Sequence, residues 1–201
     1  MAAPPPTALL ILAGPAGVGK STLCDRLVRE VPGFERVVTA TTRPARPNEV
    51  DGRDYHFLSE AEFDQRLAAG AFLEWAWVHR KHRYGTLKSA VLDRLPHTSL
   101  VMNIDVQGVR SIRAAAQEMP LLRDRLVTMF VAPDSLEVLR ERLAARGAVT
   151  DEELERRLQS AEFELAERSS YDFVIHSGTK EQDFLALRAF WSQAQARLAR
   201  A

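Results

Sequence analysis

Gly14-Pro15-Ala16-Gly17-Val18-Gly19-Lys20-Ser21 is the stretch that decides the fold. It follows an apolar run over residues 8–13 and precedes a helical pattern over residues 22–28, so the order is strand, glycine loop, helix. The spacing G-x-x-x-x-G-K-S is that of a phosphate-binding P-loop. Glycines let the backbone curl until several N–H groups point at one anion, and the helix N-terminus adds the positive end of its dipole. Lys20 is placed to reach β- and γ-phosphates, and the Ser21 hydroxyl to take a position on Mg²⁺. Together with Thr22, these residues are the expected site for a nucleoside triphosphate.

The 201 residues suffice for one α/β domain with a substantial core. Hydrophobic residues make up 46% and charged residues 27%, the proportions of an ordinary globular protein. Lys+Arg and Asp+Glu both number 27, so there is no global basic field for nucleic acid or anionic lipid. An anion site has to be built locally. The single cysteine, Cys24, excludes internal disulfides and a cysteine zinc cluster and fits a reducing cytoplasm. In the helix after the loop it is expected as a small buried hydrophobe. Residues 1–6 lack a basic n-region and read as a disordered, proline-rich leader rather than a signal peptide. No apolar run approaches the ~20 residues of a membrane span, so a soluble, cytoplasmic protein is expected. No pattern specifies an oligomer.

Along the chain, residues 34–40 read as a short strand and residues 41–57, with two prolines and a glycine, as a turn-rich segment. Ser59 and Glu62 open a short helix with a capping box. Residues 72–78 read as a strand, residues 80–83 as a cationic loop, and a further short helix runs up to Pro96. Residues 99–105 form a buried strand that ends in Asp105, the Walker B arrangement for holding Mg²⁺ directly or through water. Helices over 109–118, after Ser135, over 151–168 and over 180–200 alternate with strands over 126–131 and 172–175. This alternation predicts an α/β three-layer sandwich with a central parallel sheet in one domain. The core is expected over about residues 8–35 and 97–190. Residues 36–90 break the alternation and read as an inserted substrate-binding part.

Several spaced motifs carry a family resemblance: GPAGVGKST (14–22), TTRPARPNEVDGRDYHF (41–57), FLEWA (72–76) followed by YGT (84–86), NIDVQG (103–108), RLAARG (142–147) and ERRL (155–158). Over about residues 8–190 the chain resembles the guanylate kinases, which phosphorylate GMP with ATP. The resemblance implies a P-loop core holding ATP, a GMP-binding insert and a mobile lid over about residues 142–160. Arg43 and Arg46, three apart in a proline-stiffened loop, suit one phosphate monoester or, read alone, a solvated basic loop. The resemblance implies the former, with the hydroxyls of Tyr55 and Tyr84 on the same phosphate. Glu74 lies in an apolar, aromatic stretch where a carboxylate needs a partner. Guanine presents adjacent N1–H and N2–H donors, and the family reads them with this glutamate, helped by hydroxyls that fall here on Thr39 and Thr86. Asp105 joins the GMP site as well as the metal. Arg142, Arg146 and Arg157 match the lid arginines, which with Lys20 and Mg²⁺ would surround the moving phosphoryl group. Arg157 also has an ordinary helical partner in Glu153. No general base is expected, because the acceptor is already an ionised phosphate oxygen.

The chain departs from the family pattern at four places. The turn before Tyr84 is one residue longer and reads His79-Arg80-Lys81-His82-Arg83; Asn103 replaces an acid; Ile175-His176-Ser177 replaces the segment beside adenine; and Ala16 replaces a serine. The basic turn raises a sharper alternative, a more highly phosphorylated acceptor met by Arg80, Lys81 and Arg83. Its histidines, His79 and His82, have no third ligand and are not expected to hold a metal. Two further readings compete with GMP phosphorylation. A same-fold kinase of ribose 1,5-bisphosphate would not need Glu74, and a phosphopeptide-binding relative without catalysis would not need Lys20, Ser21 and Asp105.

Overall fold

The computed structural model describes residues 6–78, 81–145 and 150–200. In chain order the strands are β1 (Leu9–Ala13), β2 (Phe34–Arg36), β3 (Ala40–Thr41), β4 (His56–Phe57), β5 (Phe72–Val78), β6 (His82–Leu87), β7 (Ser99–Asn103), β8 (Leu126–Pro133) and β9 (Phe173–Ser177). The helices are α1 (Lys20–Glu30), α2 (Glu60–Ala68), α3 (Lys88–Leu92), α4 (Val106–Gln117), α5 (Pro120–Arg123), α6 (Leu136–Ala144), α7 (Asp151–Ala166) and α8 (Lys180–Leu198).

The main sheet has five parallel strands in the order β2-β7-β1-β8-β9. β1 lies at its centre, and every one of its residues is apolar and fully buried, as a parallel strand covered on both faces requires. Side-chain alternation then sorts the core into two layers. Leu10, Leu12, Val127 and Met129 turn toward α1 and α8, where they meet Leu23, Leu27, Phe184 and Trp191. Leu9, Ile11, Met102 and Phe130 turn the other way and meet Val109 and Ile112 of α4. This is the expected three-layer sandwich. Cys24 is fully buried in the first layer, and burial pushes its thiol up to about 12, which makes it an inert small hydrophobe.

Three boundaries differ from the sequence reading. Residues 34–40 divide: β2 stays beside β7, while β3 joins a second sheet of order β4-β3-β6-β5. Residues 82–87 form β6 rather than the end of a loop. Their sequence, HRYGTL, has no apolar alternation, so pairing with β5 alone makes them a strand. The strand expected to reach Asp105 stops at Asn103, and α4 starts at Val106, because the Asp105 carboxylate accepts from the Gly108 N–H at 2.8 Å and caps the helix.

The second sheet has a small core of its own. α2 opens on the Ser59–Glu62 capping box and lays Phe63 against Phe72, with ring centroids 4.4 Å apart. β5 bulges between Phe72 and Glu74. In a regular strand these two side chains would share a face. With the bulge, Phe72 turns toward α2 while Glu74, Ala76 and Val78 face away from it. Gly85, paired with Trp75, lies where a Cβ would come within 2.8 Å of the Phe72 ring, so the bulged pair closes only over a residue without a side chain.

In the expected lid, Leu139 and Leu143 of α6 pack on Leu158 and Ala161 of α7. The expected leader, apart from Pro6, and residues 146–149 between α6 and α7 lie outside the described residues. Gly14, directly after β1, has φ +131°, and a Cβ there would sit 2.3 Å from the Val131 carbonyl oxygen of β8. Gly14→Ala is therefore expected to lower the unfolding free energy by about 3 kcal/mol, read as a lower urea midpoint at unchanged m-value. A wild-type midpoint would contradict the close approach.

Candidate active site

The loop after β1 curls through positive φ at Gly14, Gly17 and Gly19, and α1 starts directly after it. The Lys20 ammonium donates to the carbonyl oxygens of Gly14 and Pro15, the latter at 2.9 Å. Ser21 and Thr22 stand exposed in the first turn of α1. Two hollows meet at this loop. One, of about 270 Å³, has Gly14, Ala16 and Lys20 in one wall and Thr39, Tyr55, Glu74 and Tyr84 of the insert in another, with Asn103, Asp105 and Glu164 also lining it. The other is an open groove of about 790 Å³ along Gly17, Gly19, Thr22, Arg26, Arg142 and Gly178. The glycine loop and the residues expected to hold the acceptor, far apart in sequence, thus share one space.

Glu74 is 8% exposed, and its Oε1 accepts from the Thr86 hydroxyl at 2.5 Å. Burial pushes its carboxyl up to about 7, against the Thr86 hydrogen bond and with the help of the Asp105 charge. Tyr55, half-buried in the same wall, packs its ring edge-on against Tyr84 at 5.8 Å, and burial raises its hydroxyl. Arg43 lies over the Tyr55 ring at 5.5 Å and donates to the Tyr84 hydroxyl at 3.1 Å.

Glu49 is a residue the sequence reading passed over. It accepts from the Arg43 guanidinium at 2.8 Å and from the Arg46 backbone N–H at 2.8 Å. The pair holds Arg43 above and Glu49 below its ordinary range. The carboxylate gathers the two arginines of the loop, while the Arg46 side chain remains exposed. Glu49 follows Arg46 by three residues in a turn, and that spacing was its only signal in the sequence.

The arginines expected in the lid are not all in one place. Arg142 donates to the Ser177 hydroxyl at 3.0 Å and the Gly178 carbonyl at 3.3 Å, which puts it on the groove rather than the acceptor cavity. Arg157 pairs with Glu153 one helical turn away, at 2.9 Å, and does not line either hollow. Arg146 lies outside the described residues, as do His79 and Arg80.

Arg83 is not one of the cations that could meet a more highly phosphorylated acceptor, the role the basic turn suggested for it. On β6, Tyr84 and Thr86 face the cavity, so Arg83 faces the opposite side. There it is buried, pairs with Glu60 and Asp64 of α2, and lies between the rings of Phe63 and Trp77 at 4.5 and 5.5 Å. It fastens the insert's helix to its sheet.

Comparison with known proteins agrees with the geometry. The guanylate kinase family model matches residues 7–194. A guanylate kinase of Bifidobacterium longum is 43% identical over 92% of this chain and 91% of its own length. One from Symbiobacterium thermophilum is 39% identical over 96% of this chain and 88% of its own. The chain belongs to the guanylate kinase family. The crystal structure of the guanylate kinase from Anaplasma phagocytophilum superposes with a TM-score of 0.72 at 26% identity, covering 96% of this chain and 88% of that one.

A second residue missed in this guanylate kinase fold is Glu164. It stands three positions after Ala161, at the edge of the apolar stripe of α7, a placement its charge-rich surroundings conceal. For Glu74 the sign of the linkage is definite. Its folded value lies above the 4.5 of an unburied glutamate, so the fold weakens as pH rises from about 4.5 to about 7, where the unfolded chain has lost a proton that the folded chain still holds. Glu74→Gln is expected to melt progressively higher than wild type as pH goes from about 5 to about 7, the difference then levelling off, followed by thermal unfolding. A difference in melting temperature that does not vary with pH would refute the burial of an ionising group here.

Proposed function

We propose that this chain transfers the γ-phosphoryl group of ATP to GMP or dGMP, giving ADP and GDP or dGDP. The observation that carries the reading is the single cavity that joins Lys20 of the P-loop to the buried carboxylate of Glu74. Glu74, bonded on one side by Thr86, would accept the guanine N1–H and N2–H, with Thr39 beside it. Adenine cannot present that donor pair. Such donors lower a carboxylate that burial holds near 7, so guanine binding draws on its ionised form.

The acceptor phosphate would take Arg43 from Glu49, an exchange of one anion for another on the same guanidinium, with Arg46, Tyr55 and Tyr84 completing its cradle. Gly14 to Thr22 would hold the ATP phosphates, and the groove beside Arg142 its adenosine. Lid closure would bring Arg146 and Arg157, the latter released from Glu153, to the charge that develops in transfer. Ser21 and Asp105 suit a Mg²⁺ site: an exposed hydroxyl beside Lys20, and a carboxylate that has one oxygen engaged with Gly108. Bound there, the ion would neutralise charge on the β- and γ-phosphate oxygens. The protein side of the reaction is positioning and charge neutralisation, since the attacking phosphate oxygen needs no base at neutral pH. A reducing cytoplasm suits the one buried thiol.

A coupled assay with GMP, dGMP, AMP and ribose 1,5-bisphosphate tests the reading. GMP and dGMP are expected to be turned over and the other two refused. Glu74→Ala is expected to lose about a thousandfold or more in kcat/KM for GMP while keeping ATP binding. Unchanged GMP kinetics in that variant would refute the role of Glu74.

A further inference from the structure

Three carboxylates line the small cavity, and two of them are accounted for. Glu74 has the Thr86 hydroxyl, and Asp105 has the Gly108 N–H. The third, Glu164, comes from α7, and its Oε2 atom is fully buried without a hydrogen-bond partner. A buried polar oxygen of this kind calls for a specific explanation. Burial is also what pushes its carboxyl up to about 7, with Lys20 pulling it down and Asp105 pushing it further up. Glu164 is therefore felt by the charges of both the P-loop lysine and the Walker aspartate.

Two nucleotides entering this space add several negative charges next to Glu164. A carboxylate there repels them unless a cation stands between. Among the described residues, no three carboxylate, histidine or cysteine side chains are close enough to chelate an ion directly. Mg²⁺ keeps several of its waters when it binds, and those waters are donors that a carboxylate beyond the first layer of ligands can accept.

We propose that Glu164 is a positioning residue that accepts a hydrogen bond from a water of the nucleotide-bound Mg²⁺, tying α7 to the metal. The proposal rests on the P-loop and Mg²⁺ reading given above. It also gives α7, which carries the later part of the expected lid, a contact that depends on the metal being present.

ADP binding to wild type and Glu164→Gln, measured by calorimetry in EDTA and again with Mg²⁺, tests it. In EDTA the variant is expected to bind ADP as well as wild type or more tightly, since a repelling charge is gone; this also shows that it is folded. With Mg²⁺ the factor by which the metal strengthens ADP binding is expected to fall by about tenfold or more. Glu164→Asp, which keeps the charge on a shorter stem, is expected to recover part of that factor. An undiminished metal factor in Glu164→Gln overturns the proposal and leaves the nucleotide site standing. Failure of the wild-type protein to bind ADP under either condition overturns both.

Discussion

At Gly14 the chain leaves β1 with its backbone pressed against the Val131 carbonyl of β8, closer than any side chain would allow. That contact sends the loop across the top of the sheet instead of away from it. Lys20 then begins α1 beside the ends of β1 and β8, and α1 docks through Leu23 and Leu27 onto the same layer that α8 covers. The carboxyl edge of the parallel sheet is where open α/β folds collect their ligands. Here the loop, Asn103 and Asp105 all arrive at it.

The charge arrangement follows from that geometry. A chain with equal numbers of acids and bases has no long-range field to draw in two anionic nucleotides. It holds its cations in local partnerships instead: Arg43 with Glu49, Arg157 with Glu153, Lys20 on the carbonyls of its own loop. At Arg43 and Lys20 the partnership keeps a flexible side chain near the position a phosphate would need, so that binding exchanges one partner for another rather than ordering a free side chain. Arg83 shows the contrasting case, a cation committed on both sides of its guanidinium to holding α2 in place.

Much of the site was legible because it is local. The P-loop is eight consecutive residues, Arg43 and Arg46 share one stiff loop, and Glu74 is conspicuous as a lone acid among aromatics. The parts that were not legible depend on residues distant in the chain. β6 carries no alternating pattern and becomes a strand only beside β5. Glu49 looks like any turn acid until Arg43 folds over it. Glu164 looks like one more charge on a solvated helix until α7 lies across the cavity.

By itself, the sequence determined the three-layer sandwich, through the apolar runs that form β1, β7 and β8, and the phosphate-binding loop, through its glycines and Lys20. Both are written as linear patterns, apolar runs of strand length alternating with helical periodicity in the one case and glycines with a lysine inside eight residues in the other. Tertiary structure alone decided where Glu74 points. The bulge between Phe72 and Glu74, closed over Gly85, turns the aromatic ring to α2 and the carboxylate to the cavity, and a shift of one residue in strand pairing would have reversed them.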